Sequence, residues 1–325
     1  MYFPRNQQSH FDWIKNNLKT NDLQINKTTK IVSMGSCFAR EIKDWLLRND
    51  FNYLLEEQNK DVWLNRHMYP GDGGKSPSDH ASVAWERVYN TMTFQQIMKY
   101  SFLESEKEIE EEINSRLYET EGYVGQEKKK IIADIKRTRI TYLNRETAKN
   151  DLIDHIKKSK QVLLDTEVII FTLGFTEIWT SSERDMTLPI YPMGSGTGYD
   201  PPGDFEFRAS SYRENYENVK NGIKILKENN PDIKIILTVS PVHLNKTHRT
   251  DIDVVSASCA SKSILRAVVD QILQENKQVY YFPSYEIVNL LCSLEGTPAY
   301  QNDGHHVQRN IVDTIMNVFS ETFAK

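Results

Sequence analysis

Ser36 follows the apolar run 30–34 and Gly35, while Asp303 and His306 lie three residues apart near the other end of the chain. Serine is a poor nucleophile at neutral pH and needs an adjacent base. An imidazole three residues after a carboxylate can have one ring nitrogen held while the other takes a proton. Together these types suit acyl transfer through a covalent serine. Ser36 Oγ is then expected roughly 2.6–3.2 Å from a ring nitrogen of His306, with Asp303 on the other nitrogen. Three competing readings stand beside this one. Ser36 could simply cap a helix, and His305 sits next to His306, although the spacing to Asp303 favours the latter. Cys37 offers a thiol at the same helix N-terminus, where its pKa can fall. A side chain just after the nucleophile in such a turn is expected to pack inward.

The elements that must position these residues follow from hydrophobic spacing. Residues 30–34 form a short buried strand, and Phe38, Ile42, Trp45 and Leu46 then recur at helical intervals. The runs 168–173, 233–239 and 279–282 are further strands, with a short, poorly defined one at 51–55. Helices are predicted over 91–102 (with Thr93 as cap), 210–229, 261–273 and 311–319. Strands alternating with helices indicate a parallel sheet covered on both faces, with ligands beyond the carboxyl ends of the strands. Ser36, Gly174 and Ser240 each follow a strand closely and are expected to be neighbours. Residues 104–160 are less regular: acidic at 104–112, basic at 128–130 and 136–139, and helical near 152–156. They are read as an inserted, charged helical segment of a single domain spanning 1–325, its charge blocks being solvated faces that pair with each other. A lid or docking surface for an acidic substrate is the sharper alternative.

Composition narrows the function classes. In 325 residues, 39% are hydrophobic and 26% charged, with a net charge of −5. This is globular composition, with no overall field drawing the chain to nucleic acid or an anionic membrane. Cys37, Cys259 and Cys292 form neither an even disulfide set nor a metal-ligand pattern. No apolar run approaches the roughly 18 residues of a spanning helix, and residues 1–20 lack a signal-peptide stretch. A reducing cytoplasm is the expected location, without metal, cofactor, nucleic-acid partner or membrane span.

Gly35, Ser36, Cys37, Phe38 and Ala39 spell the motif that names the GSCFA family, a group related to the SGNH/GDSL-like esterases and acyltransferases. Residues 172–179 (TLGFTEIW), 237–242 (LTVSPV), 261–266 (SKSILR), 281–286 (YFPSYE) and 303–307 resemble later blocks of that family, in order. The resemblance implies a flavodoxin-like three-layer α/β/α fold and a mechanism with Ser36 as nucleophile, His306 as base and Asp303 as orienting group. It further implies an acylated carbohydrate substrate, such as a surface polysaccharide, in a hydrolase or an O-acyltransferase; a binding module that retains the fold without turnover is the alternative. The wider superfamily builds its oxyanion hole from the serine N–H, a glycine and an asparagine. Here Gly174 is in place but Thr176 stands at the asparagine position, where its hydroxyl can donate one less firmly held bond; Asn90, just before a helix, is the favoured substitute donor, or else a helix-entry residue with no catalytic part. His243, Lys262 and Arg266 are candidate substrate contacts, and Trp179, Tyr199 and Tyr281 are aromatics that could stack on a sugar or belong to the core.

Overall fold

The computed structural model describes residues 9–18, 23–57, 60–64, 81–85, 87–124, 127–190, 199 and 202–324; part of the N-terminal stretch read above for a signal peptide lies outside them. In chain order the elements begin α1 (His10–Asn17), β1 (Ile31–Gly35), α2 (Cys37–Arg48), α3 (Thr91–Ser101) and α4 (Glu106–Arg116). Next come β2 (Leu117–Val124), β3 (Glu127–Asp134), β4 (Thr141–Tyr142), α5 (Arg145–Asp165), β5 (Val168–Leu173), β6 (Glu177–Ser181), β7 (Met186–Leu188) and β8 (Glu206–Ala209). The chain continues through α6 (Tyr212–Asn229), β9 (Lys234–Val239), α7 (Val254–Glu275) and β10 (Val279–Tyr281). It then runs through α8 (Ser284–Glu286), a π-helical turn (Ile287–Leu291), α9 (Cys292–Leu294) and α10 (Arg309–Phe323).

The four continuous apolar runs pair side by side as a parallel sheet in the order β1-β5-β9-β10. Side chains alternate between its faces, as strand geometry demands. Val32, Met34, Ile169, Phe171, Ile235 and Leu237 face a core shared with α3, α5, α6 and α7. Ile31, Val168, Ile170 and Ile236 face the other core, against α2 and α10. The result is a mixed α/β molecule with helices on both faces of a parallel sheet, a three-layer α/β/α arrangement. The stretch 51–55 is not a full strand: Ile31 N–H donates to Asn52 O and Leu54 N–H to Ile31 O, giving one parallel bridge between Ile31 and Tyr53. That contact lies on the edge of β1 opposite β5. The chain therefore builds outward from β1 in both directions, and a crevice opens beyond the ends of β1 and β5, where such a reversal places ligands.

The segment 104–160 differs from the expected helical insertion. Between α4 and α5 it forms an antiparallel sheet of order β2-β3-β4. Lys128 and Lys129 do meet carboxylates, Glu121 at 2.8 Å and Glu127 at 2.7 Å. The second basic block behaves differently, because Arg137 and Arg139 are buried. Arg137 Nε reaches Asp134 at 2.7 Å, its Nη2 reaches Asp151 at 3.1 Å, and Arg116 meets Asp134 at 2.7 Å. Glu57, Asp151 and Asp154 come together, but the Lys60 ammonium stands among them at 2.6–2.8 Å. Among the described residues, no helix is long and apolar enough to cross a membrane.

Candidate active site

At the end of β1 the chain turns sharply. Gly35 has φ +145°, and a Cβ there would lie 2.5 Å from the Thr172 carbonyl of β5, so both conformation and space call for glycine. Ser36 follows as the N-cap of α2, its Oγ accepting from Phe38 N–H at 3.4 Å. That Oγ also donates to Ser240 Oγ at 3.1 Å, bridging the ends of β1 and β9. Among the described residues the Ser36 and Cys37 N–H groups have no hydrogen-bond partner. These orphan donors carry the positive end of the helix dipole.

Asp303 and His306 meet on the loop before α10. Gly304 adopts φ +66°, folding the turn so that Asp303 Oδ1 accepts from the His305 and His306 N–H groups at 2.9 and 3.0 Å. The second carboxylate oxygen lies 2.6 Å from His306 Nδ1. That bond and the two backbone donors hold the Asp303 carboxyl well below the usual carboxylate range. His306 lines a cavity of about 210 Å³ with Cys37, Phe38, Gln301 and Arg309. His305 lines a second, of about 310 Å³, with Ser36, Cys37, Tyr89 and Phe175. Cys37 and Val242 line both, so the two cavities adjoin along them.

Two expectations change here. Ser36 Oγ is bonded to Ser240 rather than to His306, because the serine's capping geometry turns its proton across the sheet. Cys37 packs inward only in part: half-buried, it lies against the core shared by α2 and α10 and also lines both cavities, its Sγ 4.0 Å from Tyr89 Oη. The neighbour of Ser36 in its own cavity is His305. Burial pulls that imidazole's pKa down, with His306 and Lys262 acting in the same sense. Its Nδ1 is buried without a hydrogen-bond partner.

The expected oxyanion donors beyond Ser36 are engaged elsewhere. Asn90 caps α3, the place assigned above to Thr93: its Oδ1 accepts from Thr93 N–H at 2.8 Å, and its Nδ2 donates to Leu188 O at 3.1 Å. Thr176 pairs its hydroxyl with Ser261 Oγ at 2.8 Å, tying the β5–β6 connection to α7. The Gly174 N–H donates to Tyr89 O at 3.2 Å, an approach so close that a Cβ would sit 2.6 Å from that oxygen.

Lys262 and Arg266 share a helix but not a task. Arg266 bonds Glu286 at 2.8 Å and covers the Tyr281 ring, a surface link between α7 and α8. Lys262 is 1% exposed; its ammonium donates to Gly174 O at 2.8 Å and lies 4.2 Å over the Phe175 ring. Burial lowers its pKa to about 7. His243 is half-buried against the Tyr300 ring. Tyr199 is core, and Trp179 meets Phe207 and His248. Arg87, Tyr89 and Lys246 line the Ser36 cavity and were not singled out by sequence; each lies in a connection without periodicity, so no signal marked them.

A parallel α/β chain with a capping serine beyond its first strand and an Asp–His pair on a late loop defines the class of molecule. The family model described as GSCFA family matches residues 30–319, and the chain belongs to this family. No curated protein and no solved structure matches it.

Proposed function

We propose that this chain is a serine-dependent esterase or O-acyltransferase of the SGNH/GDSL type, acting through an acyl-Ser36 intermediate. The observation that carries the reading is the Asp303–His306 pair, 2.6 Å apart, beside a cavity that adjoins the one holding Ser36. Ser36 leaves its bond to Ser240 and gives its proton to His306 Nε2 as Oγ attacks the ester carbonyl. Asp303 holds Nδ1–H and stabilises the imidazolium. The oxyanion is received by the unpartnered N–H groups of Ser36 and Cys37 at the positive end of α2. Collapse expels the alcohol, which takes the proton back from His306, and water or a sugar hydroxyl then releases the acyl group by the same route. An acylated carbohydrate is the substrate implied by the family resemblance.

Cysteine chemistry is the second reading, favoured by Cys37 sharing a cavity with His306. A fluorophosphonate probe with mass mapping separates the two. Labelling of Ser36 that is lost in Ser36→Ala and kept in Cys37→Ala supports the serine reading. Labelling or ester turnover that survives Ser36→Ala and fails in Cys37→Ala overturns it. A chain inert to both the probe and activated esters would be a binding module.

A further inference from the structure

The two adjoining cavities have different linings. In the one that holds His306, the polar groups of Arg40, Glu41, Gln301 and Arg309 accompany the imidazole, and the apolar members Phe38, Val307 and Val312 are buried. In the one that holds Ser36, Tyr89, Phe175 and Ile190 are only half-buried, so apolar faces remain open to the cavity, with buried Val242 beside them. Its fully exposed members, Asn245 and Lys246, mark the mouth. The aromatic wall is fixed in place. Tyr89 O accepts from Gly174 N–H at 3.2 Å and from Phe175 N–H at 2.8 Å, which ties the two segments together. The two rings lie 5.9 Å apart at 31°, and the buried Lys262 ammonium sits 4.2 Å from the centre of the Phe175 ring. A preformed apolar surface of this kind is stabilised when an apolar group replaces the water against it.

The chemistry of an ester assigns one half of it to each cavity. His306 hands a proton to the departing alcohol, so the alcohol lies on the His306 side. The acyl group stays on Ser36, so it lies on the other. We propose that the Ser36 cavity is an acyl site for an aliphatic chain longer than acetyl, with the alcohol held among Arg40, Glu41 and Gln301. Which half of the ester enters rests on the serine reading; the cavity's preference for an apolar chain does not. An acetyl group would leave most of about 310 Å³ to water. Each further methylene displaces water from Tyr89, Phe175, Ile190 or Val242. On the alcohol side, the guanidinium, carboxylate and amide offer both donors and acceptors to hydroxyl groups.

The test reads chain length through turnover and through binding. First, kcat/KM is measured on 4-nitrophenyl acetate, butyrate, hexanoate and octanoate. It should rise about fourfold per methylene over the first steps, as burial of each CH₂ implies. Phe175→Ala should lower the octanoate-to-acetate ratio about tenfold, with Phe175→Leu in between and the melting temperature of each variant read alongside. Second, octanamide, a neutral analogue without a leaving group, is titrated into the methyl-labelled chain with acetamide as control. The NMR methyl signals of Ile190 and Val242, assigned with Ile190→Val and Val242→Ala, should shift saturably with octanamide alone. Rates that are highest on acetate, a ratio unchanged in folded Phe175→Ala, or methyls indifferent to octanamide overturn the acyl site, while any Ser36-dependent turnover leaves the serine reading standing. A chain inert to every ester whose methyls still respond to octanamide overturns the serine reading and upholds the apolar site. Silence in both arms overturns both.

Discussion

At the scale of single residues, the two adjacent histidines divide into different environments. His306 has the carboxylate; His305 has the serine's cavity. If His306 is the base, His306→Ala should lower ester turnover about 10²–10⁴-fold, while His305→Ala should act mainly through KM; full kinetics on both variants checks this, and the reverse pattern would move the base to His305. The Asp303–His306 pairing was legible because three residues and one turn suffice to bring the groups together. The role of Asn90 was not, since a cap and an oxyanion donor look alike until the Thr93 N–H and the Leu188 carbonyl are seen to take both ends of the amide. Asn90→Ala is accordingly a stability variant. Losing the cap and the buried bond should cost about 2–3 kcal/mol, read as a lower denaturant midpoint at unchanged m.

At the scale of elements, the strand-to-helix turn at Gly35 holds the site. Gly35→Ala would place an L-residue at φ +145° and press its Cβ into the Thr172 carbonyl. The strain alone is worth about 1–3 kcal/mol, and relief requires β1 and β5 to separate, which moves Ser36. A lowered melting temperature together with lost probe labelling is the expected outcome. The strands of the main sheet were readable because burial on both faces leaves runs without polar interruption, as in 168–171. The pairing of 52–54 was not, because one bridge imposes no pattern. The hairpin of β2 and β3 stayed hidden for another reason: Lys128, Lys129 and Lys130 are all exposed although adjacent on one strand, so the usual alternation of apolar and polar residues is absent.

At the scale of the whole molecule, the most conspicuous expense is the ionic network that joins the 104–160 segment to Glu57 and Lys60. His155 lies within it, fully buried, its Nδ1 2.7 Å from Glu57 and its Nε2 3.1 Å from Tyr100 Oη. Burial, with Arg137 and Arg116 nearby, lowers its pKa to about 4 against the pull of Glu57. The ring is therefore neutral, donating from Nδ1 to Glu57 and accepting the tyrosine proton at Nε2. In the unfolded chain it would protonate near its ordinary 6.5. Between those values the unfolded state binds the extra proton, so stability falls as pH drops from 6.5 towards 4 and this contribution is complete below 4. Chemical denaturation across that range should show the slope, and His155→Asn, though less stable at neutral pH, should show a shallower one. None of this network was foreseen from the 136–139 block, because an arginine's burial depends on partners distant in sequence.

The place of β1 at the end of the four-stranded sheet carries a consequence for synthesis. Its inner edge waits for β5, and Lys30 and Glu167, which meet there, are 137 residues apart. At ribosomal rates of about 5–20 residues per second, the gap lasts roughly seven to twenty-seven seconds. Throughout that interval the nascent chain carries an apolar strand with open hydrogen-bonding groups and a helix, α2, whose buried face awaits α10 from the far end of the fold. Such a polypeptide is a natural client for holding chaperones, and its yield on expression should depend more on their supply than on the stability of the finished molecule.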